Sequence, residues 1–309
     1  MINVLFAAKA ERFTEYQPAL TQAFADAGLD VSLHIDHPPD IVDYIVYAPN
    51  SAVKDFTPYH RCKAVLNLWA GVENVVSNPT LKVPLCRMVD AGLTAGMVEW
   101  VTGHVLRHHL GMDQHIVNPG HVWDPTPAPL AKDRPVTILG MGALGAACAV
   151  ALANLGFPVT GWARTRKLVP DVDVQTGPDG LARALDGAAI VVLLLPDTAA
   201  TRHTIRAQTL AHCAKGVVII NPGRGPLIDD AALLQALDAG HVAHATLDVF
   251  TTEPLPRDHP FWRHPKVTVT PHIASATRAD TSAQVIAENI KRCKSGQSLL
   301  HQVDRMTGY

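Results

Sequence analysis

The chain has 309 residues, 48% of them apolar, and a formal charge of −2 from 26 basic and 28 acidic side chains. That length predicts about two domains with real cores, and the near-neutral balance speaks against a nucleic-acid or membrane-surface partner, which would want a basic face. The longest apolar run, residues 188–195, is far short of a bilayer span.

The opening MINVLFAAKAERF lacks the basic start, the longer apolar stretch and the cleavage site of a signal peptide, so no targeting segment is expected. Five cysteines (Cys62, Cys86, Cys148, Cys213, Cys293) are odd in number and far apart, without a CxxC pair. Neither a disulfide framework nor a zinc site follows from them, and a reducing, cytoplasmic setting does.

Along the chain, short β-branched runs alternate with helical stretches. Residues 2–8, 31–35, 41–48 and 64–68 read as strands, and residues 14–27 as a helix that stops at Gly28, a natural C-terminal cap. Residues 96–110 read as a long helix. Residues 118–135 are proline-rich without apolar periodicity, so a surface loop is expected there. Beyond Pro135, residues 136–139, 159–162, 190–195, 217–220, 245–249 and 267–270 read as strands. These runs are continuous rather than alternating, as in parallel strands buried on both faces. The expectation is an α/β fold of doubly wound parallel sheets, with ligands at the carboxyl ends of the strands.

One of those strand ends carries a phosphate-binding signature. VTILGMGALG places Gly140, Gly142 and Gly145 directly after a strand and at the opening of a helix over 143–155. The glycines would serve a tight turn, a close approach of backbone to a pyrophosphate, and close helix–strand packing. The helix start would offer free N–H groups to the phosphates. The segment Gly140, Met141, Gly142, Ala143, Leu144, Gly145 is therefore a candidate dinucleotide cradle. About 20 residues on, an acid commonly holds the ribose 2′-hydroxyl. Here Ala163 stands near that place, followed by Arg164, Thr165, Arg166 and Lys167. Absence of a carboxylate removes repulsion, and the two guanidinium groups are charge-assisted donors to a 2′-phosphate. A solvated basic loop is the alternative; its place at the end of this strand favours NADPH over NADH.

Three downstream strand ends carry ionisable groups. VVIINPGRG holds Arg224, ATLDVFTTEPLP holds Asp248 and Glu253, and VTVTPHIAS holds His272. Hydride transfer to a 2-oxo acid needs a proton donor that works near neutrality, and His272 fits. A carboxylate beside the imidazole would hold its tautomer, and Glu253 fits. A permanently charged fork would grip the substrate carboxylate and polarise the carbonyl, and Arg224 fits.

Other chemistries fare worse. His104 and His108 share a helix face with His109 adjacent, but no HExxH pattern and no third ligand is evident, so no metal is expected. The pairs His34/His37 and His241/His244 sit in or beside strands and support nothing further. A GxSxG elbow for a nucleophilic hydrolase is absent.

The Gly140–Gly145 turn, NPGRG, LDVFTTEPLP and PHIAS, in this order, resemble the D-isomer-specific 2-hydroxyacid dehydrogenases. More narrowly, GWARTRK, TEPLPRDHPFWRHPKVTVTPHIAS and the terminal QVDRMTGY resemble the glyoxylate/hydroxypyruvate reductase A branch of that family. The resemblance covers essentially the whole chain. It implies Arg224, Glu253 and His272 as the catalytic trio and Asp248 at the nicotinamide end. Leu195 and Pro196 would line the adenosine side, and backbone N–H groups of the loop Trp69, Ala70, Gly71, Val72 would meet the substrate carboxylate.

It also implies a Rossmann cofactor domain, residues 97–278, inserted in a flavodoxin-like substrate domain made of residues 1–96 and 279–309, with an interdomain active-site cleft and a homodimer paired through the cofactor domain. Small 2-oxo acids, glyoxylate and hydroxypyruvate, are the expected substrates, with larger 2-oxo acids as an alternative. Two departures stand out: Trp69 occupies a place where the family commonly has a small residue, and Glu73 replaces a commoner aspartate. A bulky indole there would favour a small substrate. Formate dehydrogenases share the scaffold but typically carry an amide where Glu253 stands, and a non-catalytic NADP(H)-sensing protein of the same superfamily would not need the complete trio.

Overall fold

The computed structural model describes residues 1–308. The chain divides into two compact units, Met1–Leu93 with the segment from Ala276 onward, and Thr94–Ser275. In chain order the first stretch comprises β1 (Ile2–Ala7), α1 (Ala10–Asp26), β2 (Val31–His34), β3 (Tyr44–Tyr47), β4 (Ala64–Asn67) and β5 (Leu85–Cys86). There follow α2 (Ala91–His109), α3 (Asp113–Ile116), β6 (Val136–Leu139), α4 (Ala143–Asn154), β7 (Val159–Ala163), β8 (Asp173–Thr176), α5 (Gly177–Leu185), β9 (Ile190–Leu193), α6 (Ala207–Leu210), β10 (Val217–Asn221), α7 (Asp230–Asp238), β11 (Val242–Leu247), β12 (Val267–Val269) and α8 (Ala279–Lys294).

The smaller unit is built on a parallel sheet in the order β2-β1-β3-β4-β5. Every residue of β3 and β4 is buried, because both faces of the sheet are covered. On one face, α8 presents Ala283, Ile286, Ala287 and Ile290 at helical spacing to a core shared with Tyr16, Leu20 and Phe24 of α1 and with Phe6, Val46 and Leu66 of the sheet. Each large aliphatic side chain so buried contributes about 1.5–3 kcal/mol. Helix α1 starts four residues before the expected residue 14, carries Pro18 within it, and stops where Gly28 takes a φ of +66°.

The larger unit holds a seven-stranded parallel sheet in the order β12-β11-β10-β9-β6-β7-β8. From β6 the chain steps outward to β7 and β8, then returns to the other side of β6 with β9. That reversal opens a crevice at the carboxyl ends of β6 and β9, where doubly wound sheets bind ligands. The apolar runs alternate between two cores. Val191, Leu193, Val217 and Ile219 face one, while Ile190, Val192, Val218 and Ile220 face the other. Both faces are covered, which is why the pattern reads as continuous.

Two strands lie outside the sequence expectation, β5 and β8, and both sit at sheet edges. β5 has two residues, and β8 reads Asp-Val-Gln-Thr, so neither carries an apolar run. Residue 41, expected in a strand, closes a short 3-10 turn instead, and α2 begins at residue 91 rather than 96. Residues 119–130 are exposed throughout, as a proline-rich surface loop should be.

Candidate active site

The turn between β6 and α4 gives its three glycines three different reasons. Gly140 adopts a φ of +110°, and a Cβ there would lie 2.4 Å from the Leu194 carbonyl oxygen. At Gly145 a Cβ would meet the Gly140 carbonyl oxygen at 1.7 Å, so only glycine lets the helix sit this close to the strand. Gly142 has nothing within 4 Å on its Cβ side: the turn is open there, on the side from which a pyrophosphate can reach the backbone. Gly142 is also the residue that precedes α4, and it offers no capping side chain. The first N–H groups of such a helix lack intrahelical acceptors and, with the helix dipole, suit an anion. The residues present fit a dinucleotide. Ala163 ends β7 as a buried residue, and Arg164, Thr165, Arg166 and Lys167 follow it at the surface. Leu195 and Pro196 follow β9 beside the turn, where Pro196 accepts a hydrogen bond from Thr201 Oγ1 at 2.6 Å.

Parallel strands put β10, β11 and β12 carboxyl ends on this same sheet edge. Asn221 closes β10, fully buried. Its Nδ2 donates to the Arg224 carbonyl at 2.9 Å and its Oδ1 accepts from Gly223 N at 3.1 Å, which fixes the loop that carries Arg224. Gly225 then passes so close to the next loop that a Cβ would lie 2.0 Å from the Phe250 carbonyl carbon. The Arg224 and Glu253 loops are thus in backbone contact.

Glu253 uses both oxygens. Oε1 accepts from Phe250 N at 2.9 Å, and Oε2 accepts from His272 Nδ1 at 2.8 Å. With Nδ1–H committed to the carboxylate, Nε2 is the nitrogen that can exchange a proton with a ligand. Both side chains remain accessible, His272 at 51% and Glu253 at 36%, as a substrate site requires. His272 sits at φ +55°, and its backbone N–H donates to the Asp248 carbonyl at 2.8 Å.

Asp248 has a different place from the two exposed partners. It is fully buried, and its carboxylate accepts from Thr270 Oγ1 (2.6 Å), Ile273 N (2.9 Å) and Ala274 N (2.9 Å). It braces the loop on either side of His272.

In the smaller unit, Trp69 is 41% exposed at the end of β4, and Ala70 and Gly71 are half-buried. Asn67 Nδ2 donates to the carbonyls of Trp69 (2.8 Å) and Gly71 (2.9 Å). The loop carbonyls are thereby tied inward.

Sequence reasoning missed the two asparagine braces and Thr270. LNLWAG and INPGRG do share a readable signal, an asparagine at the end of an apolar strand with a glycine within four residues. It also assigned no role to His244 and found no third ligand for His108. The fold sets His108 against His244 of β11, with ring centroids 4.8 Å apart.

A sequence model of the D-isomer specific 2-hydroxyacid dehydrogenase NAD binding domain matches residues 103–274. A curated relative, glyoxylate/hydroxypyruvate reductase A of Serratia proteamaculans, is 39% identical over 257 residues, covering 81% of this chain and 82% of the relative. Among solved structures, a D-isomer specific 2-hydroxyacid dehydrogenase from Xanthobacter autotrophicus in complex with NADPH and MES superimposes with a TM-score of 0.92 at 37% identity, covering 100% of this chain and 99% of that one. The NADPH-dependent glyoxylate/hydroxypyruvate reductase of Sinorhizobium meliloti, in complex with NADP and sulfate, gives a TM-score of 0.89 at 34% identity, with both chains covered in full. By the family model, which matches more than half of the chain, and by the curated relative, the chain belongs to the D-isomer specific 2-hydroxyacid dehydrogenase family.

Proposed function

We propose that the protein is an NADPH-dependent reductase of small 2-oxo acids, converting glyoxylate to glycolate and hydroxypyruvate to D-glycerate. The observation that carries this reading is the His272 Nδ1–Glu253 Oε2 hydrogen bond of 2.8 Å, set on the same sheet edge as the glycine turn. A relative named glyoxylate/hydroxypyruvate reductase A and a solved structure named NADPH-dependent glyoxylate/hydroxypyruvate reductase support it.

The dinucleotide, when bound, supplies the hydride. Gly140 to Gly145 hold its pyrophosphate by backbone, and Arg164, Thr165, Arg166 and Lys167 take the 2′-phosphate, with Leu195 and Pro196 on the adenosine side. The Arg224 fork suits the substrate carboxylate, and in the smaller unit the loop with Trp69, Ala70 and Gly71 offers backbone N–H groups that suit the same anion. As negative charge gathers on the carbonyl oxygen, His272 donates the Nε2 proton to it, and Glu253 keeps the ring in the orientation and tautomer that allow this. Asp248 acts at the nicotinamide end as a positioning residue through the His272 loop.

We also propose a homodimer formed through the larger unit. Ile116, Val117, Val122, Trp123 and Leu130 are all more than 60% exposed there, and an apolar patch of that kind suits a second copy of the chain. Five unpaired cysteines, four of them buried, fit a cytoplasmic setting.

The deciding experiment follows loss of nicotinamide absorbance with NADPH and NADH crossed against glyoxylate, hydroxypyruvate, pyruvate and phenylpyruvate. Fast NADPH turnover of the two smallest substrates is expected. Turnover with NADH alone would remove the 2′-phosphate role of residues 164–167, and tight cofactor binding without turnover would move the protein to a sensing role.

A further inference from the structure

Away from the sheet edge that bears the trio, α2 ends in Arg107, His108 and His109, α3 opens with Asp113, and β11 brings up His244. One ligand atom from each of His108, Asp113 and His244 lies within 4.8 Å of the others. Both histidine rings are pinned through Nε2, His108 to Thr246 Oγ1 at 2.8 Å and His244 to Thr268 Oγ1 at 2.9 Å. Among the described residues Nδ1 of each ring has no hydrogen-bond partner. Asp113 Oδ1 accepts from Arg107 Nε at 2.7 Å, and Arg107 Nη2 donates to Thr268 Oγ1 at 3.0 Å, so one guanidinium ties the carboxylate to the threonine that holds His244.

We propose that His108, Asp113 and His244 form a binding site for a divalent transition-metal cation, with water completing the coordination. Two imidazoles and one carboxylate are the donor set that zinc and its first-row neighbours take. Hydroxyl groups bonded to Nε2 of each ring orient it, as partners of ligating histidines commonly do, and leave Nδ1 for the cation. Ligand bonds of about 2.1 Å at tetrahedral angles put donors roughly 3.4 Å apart. From separations of up to 4.8 Å the site closes by movement of about an ångström in each of the three side chains, of which Asp113 is the exposed one. Arg107 works against the cation by its charge and for it by presenting the carboxylate. The site is built from a helix end, the next helix start and a neighbouring strand, so a bound ion would fasten the α2–α3 corner to the sheet.

The test uses the full chain freed of metal by a chelator, then titrated with Zn²⁺ by calorimetry and with Co²⁺ by visible absorption. We expect one equivalent per chain, a Co²⁺ d–d band, and a raised thermal midpoint. Binding should weaken at least about tenfold in His244→Gln and in Asp113→Asn, and stay unchanged when His34 and His37, the other close pair, are both changed to Gln. Should His244→Gln fail the circular-dichroism check for folding, Asp113→Asn at the exposed position decides alone. No saturable binding, or equal affinity in wild type and in Asp113→Asn, overturns the proposal.

Discussion

The loops that follow β4 and β10 use one device for two purposes. Each comes after a buried parallel strand that ends in an almost fully buried asparagine, Asn67 or Asn221. Each asparagine donates its amide to carbonyls of the loop ahead, Trp69 and Gly71 in one case and Arg224 in the other. The first loop then offers backbone and one indole. The second carries a guanidinium, and its neighbours on β11 and β12 bring a carboxylate and an imidazole to the same edge. A braced strand end supplies position; the proposed chemistry rests on adjacent strand ends that bear charged groups, of which His272 and Glu253 meet.

The strongest way to break this contrast is to remove the imidazole. His272→Ala should lower kcat by on the order of 10² to 10⁴, with NADPH affinity retained by fluorescence titration. Near-normal turnover would show that the β12 loop is no more chemical than the β4 loop. Next comes Arg224→Lys, which keeps the charge and loses the fork. It should reduce kcat/KM for glyoxylate by about 10²-fold, near 2.7 kcal/mol, and a change under threefold would reduce Arg224 to a point charge.

Asn67→Ala tests the quieter loop. It removes the side-chain donor from two carbonyls, of which Trp69 O keeps Met88 N, and a carbonyl left short of a donor costs about 1–3 kcal/mol. Urea unfolding should register that loss, while steady-state kinetics should show KM rising with kcat little changed. Trp69→Gly is the smaller perturbation of the same loop. It should raise the preference for phenylpyruvate over glyoxylate by about tenfold, the usual worth of one apolar contact in a pocket.

A last, gentler effect lies outside both loops. Burial pushes His108 down to about 3 and His244 down to about 4; the charge of Arg107 adds to both and that of His244 to His108, while Asp113 opposes. Both rings stay neutral in the folded, metal-free chain while they would take up protons in the unfolded one below about 6.5. Stability is therefore full above that pH and is lost as pH falls toward 4, by up to about 1.4 kcal/mol per pH unit for each ring. Thermal midpoints between pH 7 and 5 in the presence of chelator should fall, and His244→Gln should flatten the slope.

Much of this was legible in order along the chain, for a physical reason. Strands covered on both faces are apolar at nearly every position, so β3, β4, β6, β9 and β10 announce themselves. The edge strands β5 and β8 answer to no such demand and are silent. In the site, the glycine turn, NPGRG, TEP and PHIAS are each continuous segments tied to a strand end, and the topology that collects them follows from the alternation of strands and helices. What the chain order hides is what it does not keep together. Asp248 becomes a brace only when residues 270–274 fold round it, and His108 meets its partners only when α2, α3 and β11 fold against one another.

The left-handed backbone at His272 has a consequence for how such a chain can change. A side chain bearing a Cβ pays about 1 kcal/mol to stand there, where glycine stands freely, and a half-exposed imidazole–carboxylate pair returns at most a similar amount. Selection for folding alone would therefore be nearly indifferent to histidine at this position, or would trade it for glycine. On the role proposed for His272, turnover is what keeps the imidazole in place, so a variant library screened for heat resistance should be expected to lose its activity here first.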